Sequence, residues 1–441
     1  MNKRGIQRLY EDLPQLVARG VLTPDAAERL RAHYGPVETA KPARLAIAFF
    51  GILGALLIGA GIILLLGHNW ENLTRPVRAF LSFLPLLLAQ GLGIWTLLRR
   101  PGSLAWREGA SGLIYLMIGA SISLVAQTYN ISGDVPAFLL TWSLLGLPLV
   151  YLFDAVVPAL LYLWCVTEWP CHVAWANGFS GGYWLLAALL VPQLARWLRA
   201  GRHQARPTLL LWAFCFSLTV AAGATLQRML PGLWIILYAG LFALMFLCGE
   251  FWFAGASGFW ARPLRHFGAI GGLILSFMLT FEWPWHEMGW TYWFDMNLHG
   301  RPAWWALLDV LLGSLVPLAA VVLLVMALRR KRFQDLLIGS LPLLAVAGYG
   351  LASLTESHAL PAGLFDLYVM VAGLGLLVAG IRSQSLAQMN TGLFIVSALL
   401  VARFFDGDLG FLLRGLIFIA LGSAFLIANV VMLRRKGAVH E

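Results

Sequence analysis

The sequence predicts an all-α, polytopic transmembrane helical bundle of about 14 spans (12–14), preceded by a short soluble N-terminal helical hairpin. Three observations carry this expectation. The 441 residues are 60% hydrophobic and 12% charged, whereas a soluble protein needs about a quarter of its residues charged. The apolar residues fall in continuous blocks such as 45–67, without the two-residue alternation of a membrane β-barrel. Lipid offers no partner to backbone N–H and C=O groups, so blocks of this length must be helices. Basic residues, finally, gather between alternate blocks. Composition also excludes a disordered chain, and 45 Gly without a three-residue period and 4 Cys exclude collagen and a disulfide scaffold.

Taken in order, residues 1–44 form a helical hairpin and linker. Ile6, Leu9, Leu13, Leu16 and Val17 share one face at helical spacing, with Pro14 kinking or splitting the helix. Gly20 ends it. Thr23 is placed to cap a second helix with Pro24 at its first position and Asp25 favouring the helix dipole, and Gly35-Pro36 closes that helix. A unit of this size is too small to hold its own core. It is expected to dock on the bundle, on headgroups or on a protein partner through residues 1–35. It is also too polar for a cleavable signal peptide.

Residues 45–433 form the transmembrane domain. Spans are expected near 45–67, 77–98, 109–128, 137–153, 155–167, 181–198, 208–226, 231–249, 267–281, 304–328, 336–354, 362–381, 390–405 and 411–433. Pro85, Pro148, Pro158, Pro317 and Pro342 within or beside them suit kinked or broken helices. Arg99/Arg100/Arg107, Arg196/Arg199/Arg202/Arg206, Arg262/Arg265, Arg329–Arg332, Arg382 and Arg434–Lys436 then fall on one side with the N-terminus, and Arg75, Arg78, Arg228, Arg301, Arg403 and Arg414 on the other. This asymmetry makes the first side cytoplasmic, with both termini there and residues 434–441 as a cytoplasmic tail. The formal charge of +10 is thus an orientation signal, with anionic lipid headgroups on the cytoplasmic side as its partner and no nucleic acid.

Three passages together resemble the bacterial membrane-protein family labelled domain of unknown function 2157. They are Leu16-Val17-Ala18-Arg19-Gly20-Val21-Leu22-Thr23-Pro24 leading to His33-Tyr34, then Gly54-Ala55-Leu56-Leu57-Ile58-Gly59-Ala60-Gly61 running into His68-Asn69-Trp70-Glu71, and Gly119-Ala120-Ser121-Ile122-Ser123-Leu124 followed by Gln127-Thr128-Tyr129-Asn130-Ile131-Ser132-Gly133-Asp134. The likeness covers roughly residues 5–155. It implies a polytopic bacterial inner-membrane protein with a soluble helical N-terminus and brings no activity with it.

Candidate sites lie mostly toward the outer face. Gly51, Ala55 and Gly59 make a small-residue stripe, read as helix packing or as a glycine-lined path. Ile58-Gly59-Ala60 and Ile118-Gly119-Ala120 each lead to a polar, aromatic exit, a pattern of a duplicated hairpin. His68, Glu71, Gln127 and Asp134 at those exits make either a polar pocket or a water-facing rim, and Gln90 lies within a span. Asp309 and Asp366 sit about a turn inside their spans and suit proton coupling if they share a cavity. Arg403 is placed to pair with Asp406 and Asp408 in a salt-bridged hairpin, or to leave those acids for an ion. The outer loop 281–303 carries Trp283, Trp285, His286, Glu287, Trp290, Asp295 and His299, a set for sugars or headgroups or an interfacial aromatic belt. It lacks the His-Glu-x-x-His spacing of a zinc site, and no metal or cofactor is expected. Cys165 and Cys171 allow a bridge that nothing else supports.

Walker, dinucleotide-binding and nucleophile-elbow motifs are absent from the sequence. The expectation is a secondary transporter or flippase-like carrier of a small or lipid-linked substrate, with enzymatic activity disfavoured. The alternatives are a non-catalytic scaffold or envelope component and a membrane-embedded transferase with an outward-facing site.

Overall fold

The computed structural model describes residues 20–34, 73–202, 204–226, 232–253, 258–286, 305–332, 335–355 and 357–406, with isolated positions elsewhere. Every regular element among them is helical. The chain forms two compact units, Met1–Arg78 and Ala79–Glu441.

In the first unit, α1 (Pro24–Tyr34) begins where the sequence places it. Thr23 Oγ1 accepts the Ala26 N–H at 3.3 Å, Asp25 pairs with Arg29 one turn on, and Gly20 takes the left-handed φ of +72° that a helix end favours. The earlier hairpin helix is described at isolated positions only, and the expected span 45–67 with its small-residue stripe lies outside the described residues.

The helices that follow are α2 (Arg75–Arg99), α3 (Leu104–Tyr129), α4 (Val135–Phe153), α5 (Val156–Trp175), α6 (Gly182–Ala188), α7 (Val191–Ala200), α8 (Ala205–Thr225), α9 (Leu233–Trp252) and α10 (Pro263–Met278). After a single 3₁₀ turn at Trp283–Trp285 come α11 (Trp305–Arg329), α12 (Leu336–Gly339), α13 (Leu341–Thr355), α14 (Ala359–Arg382) and α15 (Leu386–Asp406). Among the described residues nine stretches are long and apolar enough to cross a bilayer: α2, α3, α4, α8, α9, α11, α12 with α13, α14 and α15.

Three expected spans take other forms. The one at 155–167 is longer than expected, because α5 runs on through Glu168, Pro170 and His172. The one at 181–198 is two short helices, broken at Leu189–Leu190 ahead of Pro192. The one at 267–281 is the 16-residue α10, whose length of about 24 Å is less than the hydrocarbon thickness. Pro342 likewise coincides with the break between α12 and α13, whereas Pro85, Pro148 and Pro317 sit inside continuous helices. The last expected span, 411–433, and the tail lie outside the described residues.

Two large hydrophobic cores, with a smaller one around Phe246, Leu247 and Leu324, organise the described residues of the second unit. One is built on α3, α4, α5 and α8 around Tyr115, Phe153, Tyr162 and Tyr183, the other on α9, α10, α13 and α14 around Phe242, Trp285 and Phe365. Small residues set the close crossings. A Cβ on Gly268 of α10 would come within 2.4–2.5 Å of the Phe242 and Phe246 backbone of α9, and one on Gly392 of α15 within 2.4 Å of Leu377 N on α14. Large apolar side chains such as Phe80, Leu88, Ile94, Leu315 and Leu318 remain exposed on the helix flanks, as a lipid-facing surface requires. Tryptophans frame those flanks: Trp95 and Trp106 meet edge to face at 5.0 Å beside Arg99 and Arg100.

The connecting segments meet as the alternation of spans demands. Arg107, Asp154, Arg196 and Arg206 converge, as do Glu250, Arg265 and Arg332. Each set comes from segments that the sequence assigns to one side. At the opposite ends, Asp366 meets Arg403, and His286 stacks on His358. We call the first side the basic end.

Candidate functional site

A cavity of about 780 Å³ lies between α2, α3 and α4. Its apolar walls include Phe83, Ile118, Phe138 and Leu145, and its polar groups are Gln90, Ser121, Ser123, Asp134 and Thr141. Two hydroxyls are already committed: Ser121 Oγ donates to Ser82 O at 2.8 Å, and Thr141 Oγ1 to Ala137 O at 2.8 Å. Asp134 caps α4 by accepting the Ala137 N–H at 2.8 Å and stays exposed at the cavity mouth. Gln90 differs from these. It projects from α2 about 13 Å from Arg99 and about 22 Å from Arg75 along the helix axis, and among the described residues its carboxamide has no hydrogen-bond partner. The side chain is exposed on the helix flank, and an amide at that level of a span is costly against lipid, so it marks a wet or ligand-bearing surface.

A second groove, about 550 Å³, runs along α8, α9 and α10 and is lined by Trp212, Trp234, Tyr238, Phe242 and Phe267. Three of its polar groups are spoken for. Thr219 Oγ1 donates to Cys215 O, the Tyr238 hydroxyl donates to Thr219 O, and Trp212 Nε1 donates to Trp260 O. The rest of its lining is aromatic and aliphatic.

The basic end holds two ionic clusters that the sequence did not single out. In the first, Asp154 sits in the left-handed conformation (φ 46°) that ends α4. Its Oδ1 accepts Gln193 Nε2 and Trp197 Nε1, both at 2.7 Å, and Arg196 at 3.2 Å, while Oδ2 faces Arg107 at 3.1 Å and Arg206 at 3.3 Å. Burial pushes this carboxyl up, but the hydrogen bonds from Trp197, Gln193 and Arg107 outweigh it and hold the group below the usual aspartate range. Arg107 also donates to Phe153 O at 2.6 Å, and its neighbour Glu108 accepts the first two N–H groups of α5, Val156 at 2.9 Å and Val157 at 2.7 Å.

In the second cluster Glu250, almost fully buried near the end of α9, pairs with Arg265 and with Arg332 at 3.4 Å. Arg332 also approaches Asp335 at 3.7 Å. Asp335 is buried, its Oδ2 accepts no hydrogen bond, and desolvation pushes its carboxyl above the usual range against the pull of Arg332. A lone acid between two apolar runs, such as Asp154 between Phe153 and Val156, was the available signal, because such a group must find a partner.

The other expected site residues scatter. Gln127 is exposed on the last turn of α3 and is not among the residues lining the cavity, whereas Gln90 and Asp134 both line it. Asp309 is buried on α11, and Asp366 is taken up by Arg403 at 3.0 Å, so neither lines the two cavities above. Arg403 therefore reaches across to α14 rather than serving its own hairpin alone. It also donates to Thr280 O and lies over the Phe281 ring at 5.5 Å. Trp285 does not join an interfacial belt. It is fully buried against Phe365, with Nε1 donating to Leu279 O at 3.0 Å, while Trp283 and His286 remain exposed. Cys165 and Cys171 lie on one helix as free thiols. His68, Glu71, Glu287, Trp290, Asp295, His299, Asp408 and the Asp406 side chain lie outside the described residues.

The family comparison bears on this region directly. Residues 14–159 match the family model described as predicted membrane protein (DUF2157). The match covers roughly a third of the chain, close to the stretch 5–155 that carries the resemblance, and it contains every residue lining the α2–α3–α4 cavity as well as Arg107, Glu108 and Asp154. No curated protein and no solved structure matches the chain. The DUF2157 description and the apolar helices together make this a multi-helix membrane protein that sits in a lipid bilayer.

Proposed function

We propose that this chain is a secondary transporter or flippase-like carrier in a bacterial inner membrane, and that the α2–α3–α4 cavity receives the polar part of a small or lipid-linked substrate. The observation that carries this reading is Gln90: an exposed carboxamide near the middle of α2, without a hydrogen-bond partner among the described residues, on a cavity lined mainly by apolar side chains. Asp134 at the mouth and Gln90 deeper in give a polar ladder about which an amphipathic molecule fits, with its apolar part against Phe83, Phe138 and Leu145. The cavity lies within the part of the chain that matches a membrane-protein family. The basic end is assigned to the cytoplasm by its arginines. About fourteen spans with both termini inside complete the topology, and residues 1–35 form the arm for a protein partner.

The test is lipid scrambling in proteoliposomes, with fluorescently tagged phosphatidylglycerol and dithionite quenching from outside. The full chain is expected to accelerate quenching of the inner-leaflet probe. Ala137→Trp, which fills the cavity from an exposed position on α4, is expected to return it to the protein-free rate, and Gln90→Leu to slow it. No acceleration by the unaltered chain, or full activity in Ala137→Trp, sinks the reading.

A further inference from the structure

The Asp154 cluster carries more cationic donors than its acid can serve. An ionised carboxylate offers about four lone-pair sites, and five donors converge on Asp154. The two neutral donors, Gln193 and Trp197, hold the short 2.7 Å positions, and the guanidiniums of Arg107, Arg196 and Arg206 are left at 3.1–3.3 Å. Glu108, the other acid at this point, has both oxygens engaged on the Val156 and Val157 N–H groups. Three arginines against two committed carboxylates leave net positive charge. The guanidiniums stay in reach of solvent: the side chains of Arg107, Arg196 and Arg206 are 21%, 57% and 26% exposed. The cluster gathers the ends of α4 and α7 and the starts of α3, α5 and α8, at the level where helix ends leave the hydrocarbon.

We propose that Arg107, Arg196 and Arg206 bind the phosphate of an anionic membrane lipid headgroup. A guanidinium fork matches phosphate oxygens two at a time, and the preorganised pose costs little on binding because Asp154, Gln193 and Phe153 O already hold the side chains in place. The shortfall of negative charge at the cluster is what the headgroup supplies. The site rests on charge and donor count at the basic end and stands apart from the α2–α3–α4 cavity reading.

Native mass spectrometry of the full chain in detergent, titrated with phosphatidylglycerol or phosphatidylcholine, tests it. Phosphatidylglycerol is expected to be retained in preference to phosphatidylcholine. Its affinity is expected to fall about fivefold for each of Arg196→Gln and Arg206→Gln. Should Arg206→Gln not fold, Arg196→Gln alone decides, since its side chain is the most exposed of the three. Arg382→Gln, a basic residue on the same side but outside the cluster, is expected to leave retention unchanged. Undiminished retention in the Arg196 and Arg206 variants overturns the site. An equal loss in Arg382→Gln reduces it to face-wide charge and overturns it too. Displacement of the lipid by millimolar inorganic phosphate makes free phosphate the ligand and overturns the lipid assignment.

Discussion

At the basic end of the first half, one partly exposed aspartate faces three arginines; in the second half, two buried carboxylates, Glu250 and Asp335, face two. The same residue types therefore do different work. Around Glu250 and Asp335 charge is balanced and the carboxylates are buried, so the pairing locks α9, α10 and α12 together and leaves one carboxyl poorly served. Around Asp154 positive charge is in excess and solvent is near, so the cluster ties α3, α4, α7 and α8 and keeps capacity for an outside anion. Depth decides between lock and receptor: a buried unpaired charge is costly, while an interfacial one can wait for a ligand.

The largest expected effect is at the lock. Glu250→Ala removes the buried carboxylate that Arg265 and Arg332 share and is expected to cost about 3 kcal/mol, the low end for a buried pair because both arginines reach solvent, read as a lowered thermal unfolding midpoint in detergent. A cost as small as that of an exposed ion pair would break the distinction between the two clusters.

Asp154→Asn is expected to cost less, about 1–2 kcal/mol, because Asp154 is itself partly exposed whereas Glu250 is buried. Added salt should recover part of the loss by screening the stranded arginines. The pH dependence has a definite sign. A carboxyl held below its ordinary value of 3.8 contributes stability that is full above that value and is lost as pH falls through its lowered pKa. The acid limb of the stability–pH curve should therefore shrink in Asp154→Asn. An unchanged acid limb would remove Asp154 from the account of this end.

Asp335 should behave in the opposite sense. Its raised carboxyl favours the protonated form in the folded chain, so its contribution falls as pH rises from 3.8 through the raised value. Asp335→Asn is expected to change stability at neutral pH by less than about 1 kcal/mol, or to raise it, and to flatten that fall. A loss as large as that of Asp154→Asn would show Asp335 to be a well-served ion pair.

Much of this architecture was legible in the residues. Apolar blocks and the alternation of basic connections place the helices, and Thr23-Pro24-Asp25 marks the start of α1 with its cap. Local pattern does not reveal what the chain packs against. Trp283 and Trp285 are alike in a hydropathy reading, yet one is exposed and the other is the largest fully buried side chain of its core. Arg403 has acids close by in sequence, but the tight α14–α15 crossing brings Asp366 within 3.0 Å. The breaks at Leu189–Leu190 and Ser340 lie next to prolines that were visible, but Pro85 and Pro148 are equally visible and break nothing. Of the candidate site, Gln90 and Asp134 were legible as polar residues in or beside spans. That they line one cavity follows from how α2, α3 and α4 pack. The Asp154 cluster needed contacts across four helices and could not be seen locally.

Cryo-electron microscopy of the full chain in lipid nanodiscs, read for density between α2, α3 and α4, tests the central claim most directly. The account predicts an elongated density with its polar part within hydrogen-bond reach of Gln90 and its apolar part along Phe83 and Phe138. A cavity filled by the protein's own side chains, with the Gln90 carboxamide satisfied by them, would contradict it.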